Sequence, residues 1–195
     1  MALDWSLIVY IAAVAIISPL LILRVWWRCK AIRHLMENQA LKHNGTVVGS
    51  FLLPQLKFSY RDLPVIIITI PGSKHQQAKT EVNVTLFKPV VNTLTIVPES
   101  FAMKIEKKLG AMDIQLGIEE FDREFLVMAD DEDAVRKFVS LGLQTKLLEM
   151  KHDKPHITLQ GTWLTVHLPK VITTDEQYDR LIDLTFAVVD RIHEP

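Results

Sequence analysis

The sequence predicts an α+β protein, with an N-terminal transmembrane helix followed by one soluble domain in which helices pack on an antiparallel or mixed sheet. Three observations carry this. From Trp5 to Leu23 the chain has no charged side chain. Strand patterns dominate from residue 46 to 97, and helical ones prevail after residue 99. Strands early and helices late favour an α+β arrangement over a regular βαβ alternation.

The first element is set by length. A helix rises about 1.5 Å per residue and a bilayer's hydrocarbon core is about 30 Å thick, so residues 5–23 are just long enough to span. A cleavable signal peptide needs a basic stretch before its apolar core and small residues after it. Here only Asp4 precedes the core, and bulky Val25, Trp26 and Trp27 follow. Pro19 is tolerated in a spanning helix and marks a kink. Arg24, Arg28, Lys30 and Arg33 all lie on the C-terminal side of the span. By the positive-inside bias the N-terminus faces outward and the C-terminal domain is cytosolic, against the inner face of the membrane. Trp5 at one end, and Trp26 with Trp27 at the other, fit the interfacial aromatic belt.

Residues 28–42 continue the helix as a polar stalk until Asn44 and Gly45 stop it. This divides the chain into an anchor and stalk, 1–44, and a domain, 45–195. Residues 46–53 and 55–60 read as strands around Pro54. Leu63 to Ile70, with isoleucine at 66, 67, 68 and 70, is the pattern of a strand covered on both faces and the candidate for the sheet's centre. Residues 80–87 alternate, with Val82, Val84 and Leu86 on one face, and 94–97 form a short strand. A helix follows from about 99 to 109, closed by Gly110. Residues 113–116 and 124–128 suggest strands. Asp130 or Asp131 caps a helix reaching about residue 140, and a second helical piece runs from 141 to 150. Residues 157–159 and 163–168 bracket Gly161 as a hairpin. The last helix, 174–193, aligns Tyr178, Leu181, Ile182, Thr185, Phe186, Val189 and Ile192.

Charge narrows the functional classes. The first 44 residues hold five of the 22 bases and two of the 23 acids, leaving 17 against 21 in the domain. A mildly acidic domain argues against nucleic acid, whose binding rests on clustered bases. Only the Arg24 to Lys42 stretch suits an anionic lipid surface. The single cysteine, Cys29, excludes an intrachain disulfide and reads as a passive interfacial thiol.

Residues 110–127, GAMDIQLGIEEFDREFLV, hold Gly110, Asp113, Ile114, Gly117, Phe121, Asp122 and Phe125 in a GxxDIxxGxxxFDxxF spacing. This resembles an uncharacterised family of bacterial single-pass membrane-anchored proteins. The resemblance continues through the helices between 130 and 150 and, more loosely, through Gly161 and the last helix. That group carries no established reaction, so the resemblance implies an architecture at a bacterial inner membrane and assigns no catalytic residue. Without it, Gly110 ends a helix, Gly117 allows a turn, and Phe121, Phe125 and Val127 share one parity on an extended segment. Asp122 then bonds backbone or a neighbour.

Catalytic and metal patterns fare poorly. Asp113 and Asp122 as a carboxylate pair lack a nearby histidine or an acidic loop of ligand spacing. His152 and His156 have the i, i+4 spacing of a helical zinc pair, but Pro155 between them breaks the helix and leaves surface histidines. His167 faces solvent or bonds a neighbour. Asp130 to Asp133 lack the ligand alternation and glycine of a calcium loop and suit a helix's first turn. Pro71 to His75 lacks the spacing of a P-loop, and no GxSxG is present. The sequons at Asn44 and Asn83 matter only if the topology is inverted.

The expectation is a non-catalytic accessory, structural or assembly subunit of a larger membrane complex. Its partners are membrane lipids and other membrane subunits, with no nucleic acid, metal or cofactor. A bioenergetic complex, respiratory or photosynthetic, is one host compatible with this. The alternatives are a tethered regulatory or scaffolding module that captures a soluble protein, and a membrane-tethered enzyme with Asp113, Asp122, His152 and His167 as first candidates.

Overall fold

The computed structural model describes residues 5–74, 76–90, 92–101 and 114–193, with the side chains of 5–14 and 16 outside the description. α1 (Trp5–Lys42) is one 38-residue helix that passes through Pro19. It ends as the sequence foretells. Asn44 is left-handed at φ 51°, and the Gly45 N–H returns to the Ala40 carbonyl at 2.8 Å, which satisfies an orphan carbonyl of the last turn. A Cβ on Gly45 would sit 2.6 Å from the Lys57 carbonyl, so only glycine lets the helix end approach the sheet this closely.

Eight strands follow: β1 (Thr46–Gly49), β2 (Pro54–Tyr60), β3 (Leu63–Ile70), β4 (Lys79–Thr85), β5 (Leu94–Pro98), β6 (Phe125–Ala129), β7 (His156–Gln160) and β8 (Trp163–Leu168). They form one sheet in the order β1-β2-β3-β4-β8-β7-β5-β6, and every described pairing is antiparallel. Four more helices complete the description: α2 (Glu119–Glu124), α3 (Glu132–Phe138), α4 (Leu141–Glu149) and α5 (Asp175–His193). The fold is α+β.

Alternation along the strands turns one face toward the helices. Leu56, Val65, Ile67, Val82, Val84, Leu164 and Val166 are fully buried there with Leu147 of α4 and with Tyr178, Leu181 and Val188 of α5. α1 joins this core: Met36 and Gln39 are fully buried, and Ile32 and Leu35 pack beside them. Gln39 Nε2 donates to Asp179 Oδ1 at 2.8 Å and to Asp175 Oδ1 at 3.3 Å, while Lys42 pairs with Asp179 at 2.8 Å. The second half of α1 is therefore a structural element of the domain, wedged between β2 and α5.

Several expectations are corrected. β3 is buried on one face only; Ile66, Ile68 and Ile70 are half-buried on the other, and β3 is third in the sheet. Residues 114–116 form no strand, although the Ile114 N–H donates to the Val127 carbonyl at 2.9 Å. Phe121 is helical, on α2, so it shares no extended segment with Phe125 and Val127, yet all three are buried. On α5, Leu184 and Val188 are buried while Phe186 and Ile192 are half-exposed. The helix placed at 99–109 opens as a 3-10 turn, Glu99–Phe101; its remainder, like Gly110 and Asp113, lies outside the described residues.

Candidate functional site

Two surfaces gather functional side chains. The first lies where α1 leaves the sheet. Ile17, Leu20, Leu21, Ile22, Leu23, Val25, Trp26 and Trp27 are all exposed apolar residues of α1, on every side of the helix rather than in one stripe. Among the described residues no helix is long and apolar enough to cross a membrane. Trp26 and Trp27 meet edge to face with centroids 5.4 Å apart, and Lys30 Nζ lies 5.2 Å from the Trp26 ring. Arg24 and Arg28 are exposed, whereas Arg33 is tied to Glu37 at 3.0 Å. The side chain of Trp5 is outside the description.

The sequence reading missed the partner of this collar. The β1–β2 connection, Ser50 to Leu53, carries Phe51, Leu52 and Leu53 exposed at its tip, where polar turn residues are usual. Phe51 stacks on Trp26 at 6.2 Å with planes 27° apart. The Leu53 N–H donates to Ser50 Oγ at 3.2 Å, which holds the tip closed.

Behind the tip is a groove of about 440 Å³. One wall is the i, i+3, i+4, i+7 stripe Val25, Arg28, Cys29 and Ile32 of α1. The other comes from Leu52 and Pro54, the end of β3 at Thr69 and Pro71, and Ala78 and Val171. The register brings these together, since Gly49 faces Pro54 and Ile70 faces Lys79 in the ladder.

The second surface is the sheet's open face. Glu81 faces His167 across β4 and β8, and His167 faces His156 across β8 and β7. The two rings stack at 4.4 Å, and Phe101 meets His156 edge on at 4.6 Å. Burial pushes both imidazoles down to about 4, helped at His156 by the neighbouring His167 and then Lys79, and at His167 by Lys79. Both are neutral at pH 7. Burial pushes Glu81 up, but hydrogen bonds from Lys79 and Asn83 outweigh it and hold the carboxyl below its ordinary value. Asn83 Nδ2 donates to Glu81 at 2.9 Å, and Asn83 Oδ1 accepts from the Thr165 hydroxyl at 2.9 Å. His156 is thus no surface histidine, as the sequence had suggested. It is 8% exposed because β7 begins there beside β8. His152 is exposed and stands apart from it, on a 3-10 turn.

The remaining candidates have structural duties. Asp122 accepts from the Leu116 and Gly117 N–H groups at 2.8 and 2.9 Å, and Phe121 stacks on Phe125 at 5.2 Å. Gly117 has φ +91°, a conformation that penalises any side chain. Asp131 caps α3 through the Ala134 N–H at 3.0 Å, and Asp130 accepts from the Thr93 N–H at 3.0 Å. Among the described residues no group of three or more histidine, cysteine or acidic side chains is placed to hold a metal ion.

No family model matches the chain, and no curated protein does. Among solved structures it is similar to that of the mycobacterial trehalose monomycolate transport factor A, TtfA, with a TM-score of 0.56 at 12% identity, covering 83% of this chain and 94% of that one. At such identity the likeness is one of fold.

Proposed function

We propose that the protein is a membrane-anchored accessory factor whose α+β domain rides against the cytosolic face of the bilayer and docks on a membrane-embedded partner. The carrying observation is that the described apolar side chains of α1 between Ile17 and Trp27 are exposed on all sides of the helix. A helix apolar all round needs lipid or protein around its whole circumference. The belt of Trp26, Trp27 and Phe51 with Arg24, Arg28 and Lys30 is what a headgroup layer accommodates. The neighbour in fold is titled a transport factor, which favours an accessory role in membrane transport and lends nothing to a bioenergetic host.

The test uses the full chain in its own membranes. Alkaline carbonate washing leaves it in the pellet, and mild detergent brings it out with a stoichiometric membrane partner. Trp26→Ala with Trp27→Ala weakens that association. Release by carbonate sinks the anchor, and a lone monomer in mild detergent sinks the accessory role.

A further inference from the structure

We propose that the groove between α1 and the near ends of β2, β3 and β4 receives an acyl chain of an anionic membrane lipid, with Arg28 meeting its headgroup. The inference deepens the membrane-anchored reading and rests on it.

The groove has the dimensions and character of a ligand site. Its volume of about 440 Å³ falls within the usual range of about 300–1,000 Å³ for small-molecule sites. Its walls are apolar apart from Arg28, Thr69 and the Cys29 thiol. A long apolar slot with one cation at its side matches a hydrocarbon chain ending in an anionic group, and fits a sugar or a nucleotide badly.

Position decides where such a chain comes from. Val25 stands two residues beyond the uncharged stretch, about 3 Å along the helix axis, and Ile32 about 14 Å along. The groove mouth therefore lies at headgroup level when residues 5–23 span. Exposed Leu21, Val25 and Leu52 give an apolar path from the bilayer into it. A chain moving along that path passes from one apolar medium to another, since lipid tails are as apolar as leucine, and it never crosses open water.

The hairpin tip supplies the lid and the anchor. Phe51, Leu52 and Leu53 form an exposed apolar cluster that would be a liability in water. Set into the headgroup layer beside Trp26, they hold the groove mouth against the bilayer. Arg28 and neighbouring Arg24, both exposed, favour phosphatidylglycerol over a zwitterionic lipid.

The experiment reconstitutes the full chain in phosphatidylcholine vesicles containing phosphatidylglycerol with a diazirine at the end of one acyl chain. After illumination, peptides are mapped by mass spectrometry. Crosslinks are expected at residues 25–32, 52–54 and 69–78 as well as in 5–23. Filling the groove, by Ala78→Trp or independently by Val171→Trp, abolishes the crosslinks outside 5–23 while circular dichroism remains unchanged. Arg28→Gln removes the preference for phosphatidylglycerol over an otherwise identical phosphatidylcholine probe. Crosslinks confined to 5–23 in the unaltered chain overturn the groove and leave the anchor standing. Crosslinks at the groove that survive both folded tryptophan variants overturn it as well. Absence of any crosslink, with the chain washed from the vesicles, overturns the anchor itself.

Discussion

His156 and His167 sit directly opposite each other on β7 and β8 and stack face to face, centroids 4.4 Å apart, both neutral at pH 7. Two imidazoles at that distance cannot both take a proton without facing a like charge in a partly dry site.

The pH dependence of stability follows with a definite sign. Both folded-state values lie at about 4, below the 6.5 of an unfolded histidine, so the unfolded chain binds protons first as pH falls. The histidine contribution to stability is full well above pH 6.5, declines toward pH 4, and is lost below that. Burial of His43 lowers it too and adds in the same direction. Glu81 and Asp179 have depressed carboxyls, whose contribution goes only as pH falls through the acid range below their ordinary values. Thermal melts from pH 7.5 to 4.5 should show the decline, and His167→Gln should flatten its upper limb.

Asp122 is expected to act on folding alone. Asp122→Ala strands the N–H groups of Leu116 and Gly117 and should cost about 1–3 kcal/mol in urea unfolding. Gly117→Ala has open space around its Cβ but a forbidding φ, so it should cost about 1 kcal/mol. Neither should alter association with a membrane partner.

The second half of α1 should prove inseparable from the domain. A fragment beginning at residue 45 lacks Met36 and Gln39 and should lose near-ultraviolet circular dichroism and cooperative melting, whereas one beginning near residue 28 keeps both. Within the full chain, Met36→Ala should cost about 3 kcal/mol. Gln39→Leu leaves Asp179 and Asp175 short of a donor and should cost about 1–3 kcal/mol. A fully cooperative fragment from residue 45 would refute this.

Period and punctuation make the elements legible: Asn44 and Gly45 as a stop, the 63–70 and 163–168 strands, a cap at Asp130 or Asp131, which the structure assigns to Asp131, and the final amphipathic helix. Pairing was not legible. Alternation places Glu81 opposite Val82 in facing, and His167 opposite Val166, but only register sets Glu81 beside His167 and His167 beside His156. The burial of His156 comes from its hairpin partner β8, whose pairing reaches one residue further than the alternation marks, and from Phe101, which is distant in sequence. Phe51 to Leu53 read as the end of a strand, since nothing local distinguishes an apolar turn from an apolar strand. Their meaning comes from Trp26, a contact across 25 residues.

α1 runs unbroken from the exposed apolar residues between Ile17 and Trp27 to Met36 and Gln39, which are locked between sheet and α5. It is a lever and not a leash. Any tilt or roll of its first half must turn the whole sheet with it, so the domain's orientation is dictated mechanically, and a partner that grips the N-terminal half steers everything beyond.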